Sequence, residues 1–203
     1  MAYSDFTLKD LKTKFGITNR VLQLFSNTPS IPISEALQED LQLARMLPIR
    51  SEKAKSELII MPILIELMKR NKQFFTIYSG DSLIADKANG LSGECDFILA
   101  KQTGSFDINT PIITIVEAKK NDVETGIPQC AAQMLGARVY NREYGNQLKV
   151  IYGCVTTADD WIFLKLKGDT LFVDIEKYYL GKLEELLDVF QVIINHYKEV
   201  LGR

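Results

Sequence analysis

Three charged residues stand at the ends of two apolar segments of this chain. Asp96 opens the apolar segment 96–100, and Glu117 and Lys119 close the apolar segment 112–119. A carboxylate that ends a buried strand loses hydration, and this cost must be offset by a partner. A divalent cation is one suitable partner and the Lys119 ammonium group is another, and the residues alone leave both open.

The polar segment 101–110 between these two runs predicts that they form an antiparallel pair. It is centred on Gly104, Ser105, Phe106 and Asp107. If the strands are symmetric about this loop, Asp96 lies opposite Glu117, with the two side chains about 5 Å apart. Side chains alternate along a strand, so Glu117 and Lys119 share one face. The sequence therefore predicts a cluster of two acids and one amine.

Such a cluster has a chemical use. Two converging carboxylates repel each other, which raises the pKa of one of them unless a cation such as Mg²⁺ lies between them. Mg²⁺ keeps several waters and takes phosphate oxygens as further ligands. It lowers the pKa of a bound water, and a nearby lysine stabilises charge on a phosphoryl group. The residue types thus predict metal-assisted phosphodiester hydrolysis, with an ion-pair cluster that fixes strand register as the competing interpretation.

Length and composition bound the class of protein. The chain has 203 residues, of which 46% are hydrophobic and 25% charged, as in ordinary globular proteins. We expect one core domain with an N-terminal helical extension over residues 1–50. Apolar runs are shorter than the ~20 residues of a membrane helix, and the start lacks the pattern of a secretion signal. We therefore expect a cytoplasmic protein without a membrane partner.

Cysteine content and net charge add two expectations. The three cysteines lie in apolar surroundings without the spacing of a zinc site, so we expect buried, reduced thiols. The net charge of −2 does not predict a broad nucleic-acid surface, because phosphate contacts usually leave a basic footprint. A local basic patch is compatible with this balance.

The hydrophobic periodicity predicts a mixed sheet flanked by helices. Helices are predicted at about 6–25 with a break at Gly16, 34–46, 51–72 with a kink at Pro62, 129–144 and 181–201. Strands are predicted at about 74–78, 94–100, 112–119 and 149–156, followed by a hairpin over 161–166 and 170–174. Gly80-Asp81 and residues 87–90 are predicted as turns. The predicted fold class is therefore α/β.

These features resemble the PD-(D/E)XK nuclease superfamily, whose fold is called restriction-endonuclease-like. Asp96 matches the metal-binding aspartate of the family, and Glu117-Ala118-Lys119 matches its (D/E)-x-K strand. Cys95 stands where the family name has proline. The segment 51–62 is most similar to the nuclease domains of type I restriction subunits and related small proteins. The resemblance implies a restriction-endonuclease-like nuclease domain over residues 51–203.

The resemblance also implies the remaining site residues and the substrate. Several branches of the family place a glutamate of the first core helix against the metal, and Glu57 matches best, with Glu52 as the second choice. Related branches place a glutamine on the helix after the lysine, for which Gln133 and Gln129 are the candidates. The implied enzyme is a Mg²⁺- or Mn²⁺-dependent endonuclease that acts on nucleic acid, with DNA expected ahead of RNA.

A second hypothesis keeps the fold without the chemistry. In it the chain is a non-catalytic interaction or nucleic-acid-binding module, which docks through the apolar face of helix 181–201. Cleavage of both strands of a duplex usually needs two sites, so a homodimer is also considered. No phosphate-binding glycine loop, nucleophile elbow or suitable histidine base supports an unrelated enzyme.

Overall fold

One seven-stranded mixed sheet forms the centre of the molecule. The computed structural model describes residues 2–26, 28–104 and 107–202. The strand order across the sheet is β1-β7-β6-β5-β4-β3-β2. The strands are β1 (Thr18–Leu22), β2 (Phe75–Asp86), β3 (Leu91–Lys101), β4 (Ile112–Ala118), β5 (Val150–Thr156), β6 (Asp160–Lys167) and β7 (Thr170–Tyr179). The predicted α/β class, a mixed sheet flanked by helices, is confirmed.

Helices cover both faces of this sheet. They are α1 (Leu8–Phe15), α2 (Glu35–Arg45), α3 (Glu52–Lys55), α4 (Met61–Arg70), α5 (Ile127–Glu143) and α6 (Leu183–Val200). One hydrophobic cluster packs α2, α4 and α6 against one face. A second cluster packs α1 and α5 against the other. The apolar stripe of α6, including Leu186, Phe190 and Ile194, is therefore part of the core.

The first core helix begins as its sequence predicts. The Ser51 hydroxyl accepts a hydrogen bond from the Ala54 amide at 3.0 Å, which caps α3. A π-helical turn, Ser56–Ile60, joins α3 to α4. Pro62 follows this turn and has no amide hydrogen for the carbonyl four residues earlier, so the regular helical ladder is interrupted here.

A parallel crossover unit positions the centre of the sheet. Strands β4 and β5 are parallel neighbours, and α5 connects them along the sheet face. Both strands are buried along their whole length, as expected where helices cover both faces. Residues that follow β4 therefore lie at the same end of the sheet as Thr156, the last residue of β5.

Two local predictions are wrong. The helix predicted over 6–25 ends at Gly16, whose φ of 71° terminates α1, and Thr18–Leu22 is a strand parallel to β7. Val21 is 63% exposed, so its apolar character does not mark a core position. The predicted turn at Gly80-Asp81 is also absent, because β2 continues to Asp86 and the turn lies at 87–90.

The remaining expectations concern the cysteines, membrane helices, the loop centre and the domain division. Cys95, Cys130 and Cys154 are buried free thiols, as expected. Among the described residues, no helix is both long and apolar enough to cross a membrane. Ser105 and Phe106 of the predicted loop centre lie outside the described residues. The division into residues 1–50 and 51–203 stays a prediction.

Candidate active site

The pairing of β3 with β4 brings Asp96 to Glu117. Phe97 pairs with Val116 in antiparallel register, so the preceding Asp96 lies opposite Glu117. Asp96 Oδ2 accepts a hydrogen bond of 2.7 Å from the Ala118 amide. The aspartate is thus fixed to the backbone between Glu117 and Lys119, at the end of β4.

The side-chain alternation of β3 changes phase at Asp96. Cys95 and Ile98 both belong to the cluster on the α5 side of the sheet, whereas Phe97 belongs to the opposite cluster. The neighbouring strand carries Gly80 at this level, between the pairs formed by Ser79 and Asp81, with a φ of 74°. Only glycine adopts this conformation at little cost. The local irregularity re-aims side chains where the acidic cluster lies.

The Glu117 carboxylate is held by two side chains. Lys119 Nζ lies 2.7 Å from Glu117 Oε1, and Gln133 Nε2 donates to Glu117 Oε2 at 2.7 Å. Lys119 Nζ also donates to Gln129 Oε1 at 2.9 Å. Both glutamines therefore reach the cluster from successive turns of α5. The structure brings together Asp96, Glu117, Lys119, Gln129 and Gln133.

Burial raises the pKa values of both acids. Glu117 is 2% exposed. Burial, followed by the nearby Asp96 charge, raises the pKa of Glu117 to about 7, although Lys119 and Gln133 oppose the change. Burial also raises the pKa of Asp96, against the hydrogen bond from Ala118. The ionised cluster therefore carries more negative charge than its protein partners balance, which suits a cation.

The structure does not bring Glu57 to this cluster. Its side chain is 61% exposed and lies 3.8 Å from Lys53 Nζ. Glu52, one helical turn and a residue earlier, lines the same cavity as Asp96 and Glu117. The Glu52 charge also raises the pKa of Asp96. Ile59, Ile60 and Ile63 form the buried face of this helical segment, and Glu57 lies outside that face, in solvent.

A cavity of about 300 Å³ opens above the acids. Its walls include Ala2, Tyr3 and Ser4, which sequence analysis did not connect to the site. Tyr3 is 1% exposed. A Cβ atom at Gly93 would lie 3.3 Å from the Tyr3 ring, and one at Gly136 would overlap the Tyr3 hydroxyl. The unusual placement of Gly136 inside a helix was the available signal of close packing, but not of its partner.

Gly126 is a second residue that the sequence did not assign to the site. It directly precedes α5 and faces Lys119 and Val155. A Cβ atom there would be 3.0 Å from Lys119 Cγ and 2.5 Å from Val155 Cγ1. The absence of a side chain at Gly126 therefore leaves room for the Lys119 stem between α5 and the sheet.

The donor set fits a hard divalent cation in part. Asp96 accepts the Ala118 amide hydrogen through Oδ2, which leaves Oδ1 to coordinate a cation beside the Glu117 carboxylate. Gln133 Oε1 is buried without a hydrogen-bond partner in the described structure. Among the described residues, no group of three or more His, Cys, Asp or Glu side chains is placed to hold a metal alone. A bound Mg²⁺ would therefore complete its shell with water and substrate oxygens, as Mg²⁺ commonly does.

Comparison with known proteins adds no assignment, since no family model matches the chain and no curated protein matches its sequence.

Proposed function

We propose that this protein is a metal-dependent nuclease that hydrolyses phosphodiester bonds in nucleic acid, with DNA as the preferred substrate, on a restriction-endonuclease-like fold. The observation that carries this proposal is the convergence of Asp96 and Glu117 with Lys119 at the end of one buried strand. Two buried acids and one amine lose more hydration free energy than apolar residues would, so they are poorly suited to holding two strands together. They are the groups that metal-assisted phosphoryl chemistry needs.

Asp96 and Glu117 are the proposed ligands of Mg²⁺ or Mn²⁺. Glu52 lines the same cavity and replaces Glu57 as the proposed third carboxylate, acting directly or through a water. When bound, the cation supplies a water of lowered pKa and stabilises charge on phosphate oxygens. Gln133 orients Glu117 by donating to Oε2, so that the carboxylate keeps one position.

Lys119 is the proposed catalytic cation. Its ammonium group lies between Glu117 and Gln129, which fix its position through bonds of 2.7 and 2.9 Å. A fixed positive charge at this place can orient an attacking water and offset the charge that develops on the phosphate. Gln129 acts as a positioning residue in this proposal, because its contact is with Lys119.

Plasmid nicking by the purified chain in Mg²⁺ and in Mn²⁺ tests the proposal. Lys119→Ala is expected to lower the rate at least ~100-fold, as loss of one preorganised electrostatic group does. Lys120→Ala is the matched control: Lys120 is exposed, and its backbone carbonyl, which the substitution keeps, accepts a hydrogen bond from Lys55 Nζ. Both variants should keep the wild-type melting temperature to within a few degrees.

Each outcome decides between the hypotheses. Nicking that is lost in Lys119→Ala and kept in Lys120→Ala supports the nuclease. Nicking at the wild-type rate in both variants assigns the activity to a contaminant. Absence of nicking in wild type, together with unfolding of Lys119→Ala, supports a structural ion-pair cluster and a non-catalytic module.

A further inference from the structure

Cations and aromatic rings alternate across four neighbouring strands, away from the acidic cluster. Backbone register pairs Tyr152 of β5 with Lys165 of β6, Lys165 with Phe172 of β7, and Phe172 with Arg20 of β1. Residues that pair directly across strands point to the same face of a sheet. We call Tyr152, Lys165, Phe172 and Arg20 the cation–aromatic row.

The row is continuous with a concave surface that carries more cations. An open cavity of about 610 Å³ includes Phe172 in its wall, together with Arg138, Leu148, Lys149, Lys167 and Gly168. Arg20, Lys149 and Lys167 are exposed and Phe172 is half-buried, whereas Tyr152 is buried in the core beneath Lys165. The surface therefore combines accessible positive charge with an aromatic face.

The cations of this surface are crowded and weakly compensated. Burial and the neighbouring Lys167 charge lower the pKa of Lys165. Burial lowers the pKa of Arg138, and the nearby Arg142 charge acts in the same direction against Asp169. Within the described part of the chain, none of these cations lies within 4.0 Å of a carboxylate oxygen. In a chain of net charge −2, this is a local concentration of positive charge.

Arg138 is anchored at the wall of this cavity. Its Nη1 donates to the Gly168 carbonyl at the β6–β7 turn, which holds the guanidinium group at the cavity. Its Nε is buried and has no hydrogen-bond partner in the described structure. The guanidinium group is thus a positive charge held in place at the cavity wall, and its planar form is suited to phosphate oxygens.

We propose that the cation–aromatic row and the adjoining cavity bind single-stranded nucleic acid. A base stacks on the Phe172 ring, and phosphates lie along Arg20, Lys165 and Lys167, with Lys149 and Arg138 at the cavity. Accessible cations beside an aromatic face are features that single-strand sites use, because each base has a face that can stack. A duplex keeps its bases stacked internally and so offers no base face to the Phe172 ring.

This surface is separate from the acidic cluster. Arg138 follows Gln129 by nine residues on α5, which corresponds to about 14 Å of helix. Lys149 precedes β5, whereas the other end of that strand pairs with Ala118 beside the acids. Binding at the row is therefore independent of metal and of catalysis.

Fluorescence anisotropy in EDTA tests the proposal, with labelled single-stranded DNA in one arm and single-stranded RNA in the other. Arg20→Ala combined with Lys167→Ala removes two exposed cations and is expected to weaken binding about tenfold or more. The slope of log affinity against log salt should fall by about 1.4, or ~0.7 for each lost phosphate contact. Lys9→Ala combined with Lys12→Ala removes the same charge from exposed positions of α1 and is expected to change affinity less than twofold.

Phe172→Ala tests the stacking contact separately, with an expected weakening of about tenfold. Phe172→Leu retains apolar packing, so an equal loss in this variant with unchanged melting temperature attributes the effect to the ring. Equal losses in the row and α1 double variants overturn the proposal, as does binding to anionic vesicles but not to oligonucleotides. Binding is measured in EDTA, where the proposed metal-dependent nuclease is inactive, so failure of the nuclease proposal leaves this result unaffected.

Discussion

At the scale of single residues, Glu117 makes the stability of the metal-free protein depend on pH. Its pKa of about 7 in the folded state lies above the ordinary value of 4.5, because of burial and the adjacent Asp96. Between these values the folded protein holds a proton that the unfolded chain has lost. The free energy of unfolding therefore decreases as pH rises from about 4.5 to about 7.

Glu117→Gln is expected to flatten this dependence. The variant has no proton to lose at that position, so its stability should gain relative to wild type on going from about pH 5 to about pH 8, by on the order of 2 kcal/mol. Urea denaturation across this range in EDTA measures the effect. Glu143→Gln, at an exposed position of α5, should keep the wild-type slope. Parallel curves for wild type and Glu117→Gln would contradict the burial argument.

At the scale of elements, the packing of α5 on the sheet sets the position of Lys119. Gly126 has a helical backbone, with φ −86° and ψ −13°, so alanine fits its conformation. Its added Cβ would lie 2.5 Å from Val155 Cγ1 and 3.0 Å from Lys119 Cγ. Gly126→Ala should therefore destabilise the fold by about 1–3 kcal/mol through overpacking.

The same variant should displace Lys119 from Glu117 and Gln129, and so lower nicking more than its stability loss explains. Gly181→Ala is the matched control, because a Cβ atom there meets no atom within 4 Å. Chemical denaturation and nicking rates of the two variants provide the comparison. A Gly126→Ala protein with wild-type stability and activity would show that Lys119 has room to move.

The elements also show how far local sequence patterns specify this site. The meeting of Asp96 and Glu117 was predictable, because two apolar runs about one polar loop have an obvious antiparallel register. The choice between Glu52 and Glu57 was not, because it depends on which helix face packs on the sheet, beside the π-helical turn at Ser56–Ile60. The position of Tyr3 in the cavity wall was also not predictable. It depends on packing against Gly93 and Gly136, which are distant in sequence, and local periodicity does not encode such contacts.

At the scale of the whole molecule, the central strands separate two sites of opposite charge. The acids lie where β4 and β5 end, while the cation–aromatic row and its cavity lie towards the start of β5 and the β6–β7 turn. Both are built on the same hydrogen-bonded sheet, so their separation is fixed by strand geometry. A near-neutral total charge can thus hide segregated charges, so composition alone gives little indication of the polyanion partner proposed above.

If the acidic site binds Mg²⁺, the ion should stabilise the whole fold, because the unfolded chain lacks the paired carboxylates. A free concentration about ten times the dissociation constant contributes about 1.4 kcal/mol. For a chain of this length, that corresponds to a rise of about 3–6 °C in melting temperature. The rise should be larger at pH 8 than at pH 6, since Glu117 must lose its proton to bind the ion.

Thermal melts with and without Mg²⁺ measure this shift, and the double variant Asp96→Asn, Glu117→Gln is the control. That variant removes both ligand charges while it keeps side chains of similar size, so it should fold and show no Mg²⁺-dependent rise. An equal rise in the double variant would place the ion elsewhere on the molecule. If Mg²⁺ leaves the wild-type melting temperature unchanged at both pH values, Lys119 is the principal partner of the two acids. That outcome would support the ion-pair interpretation.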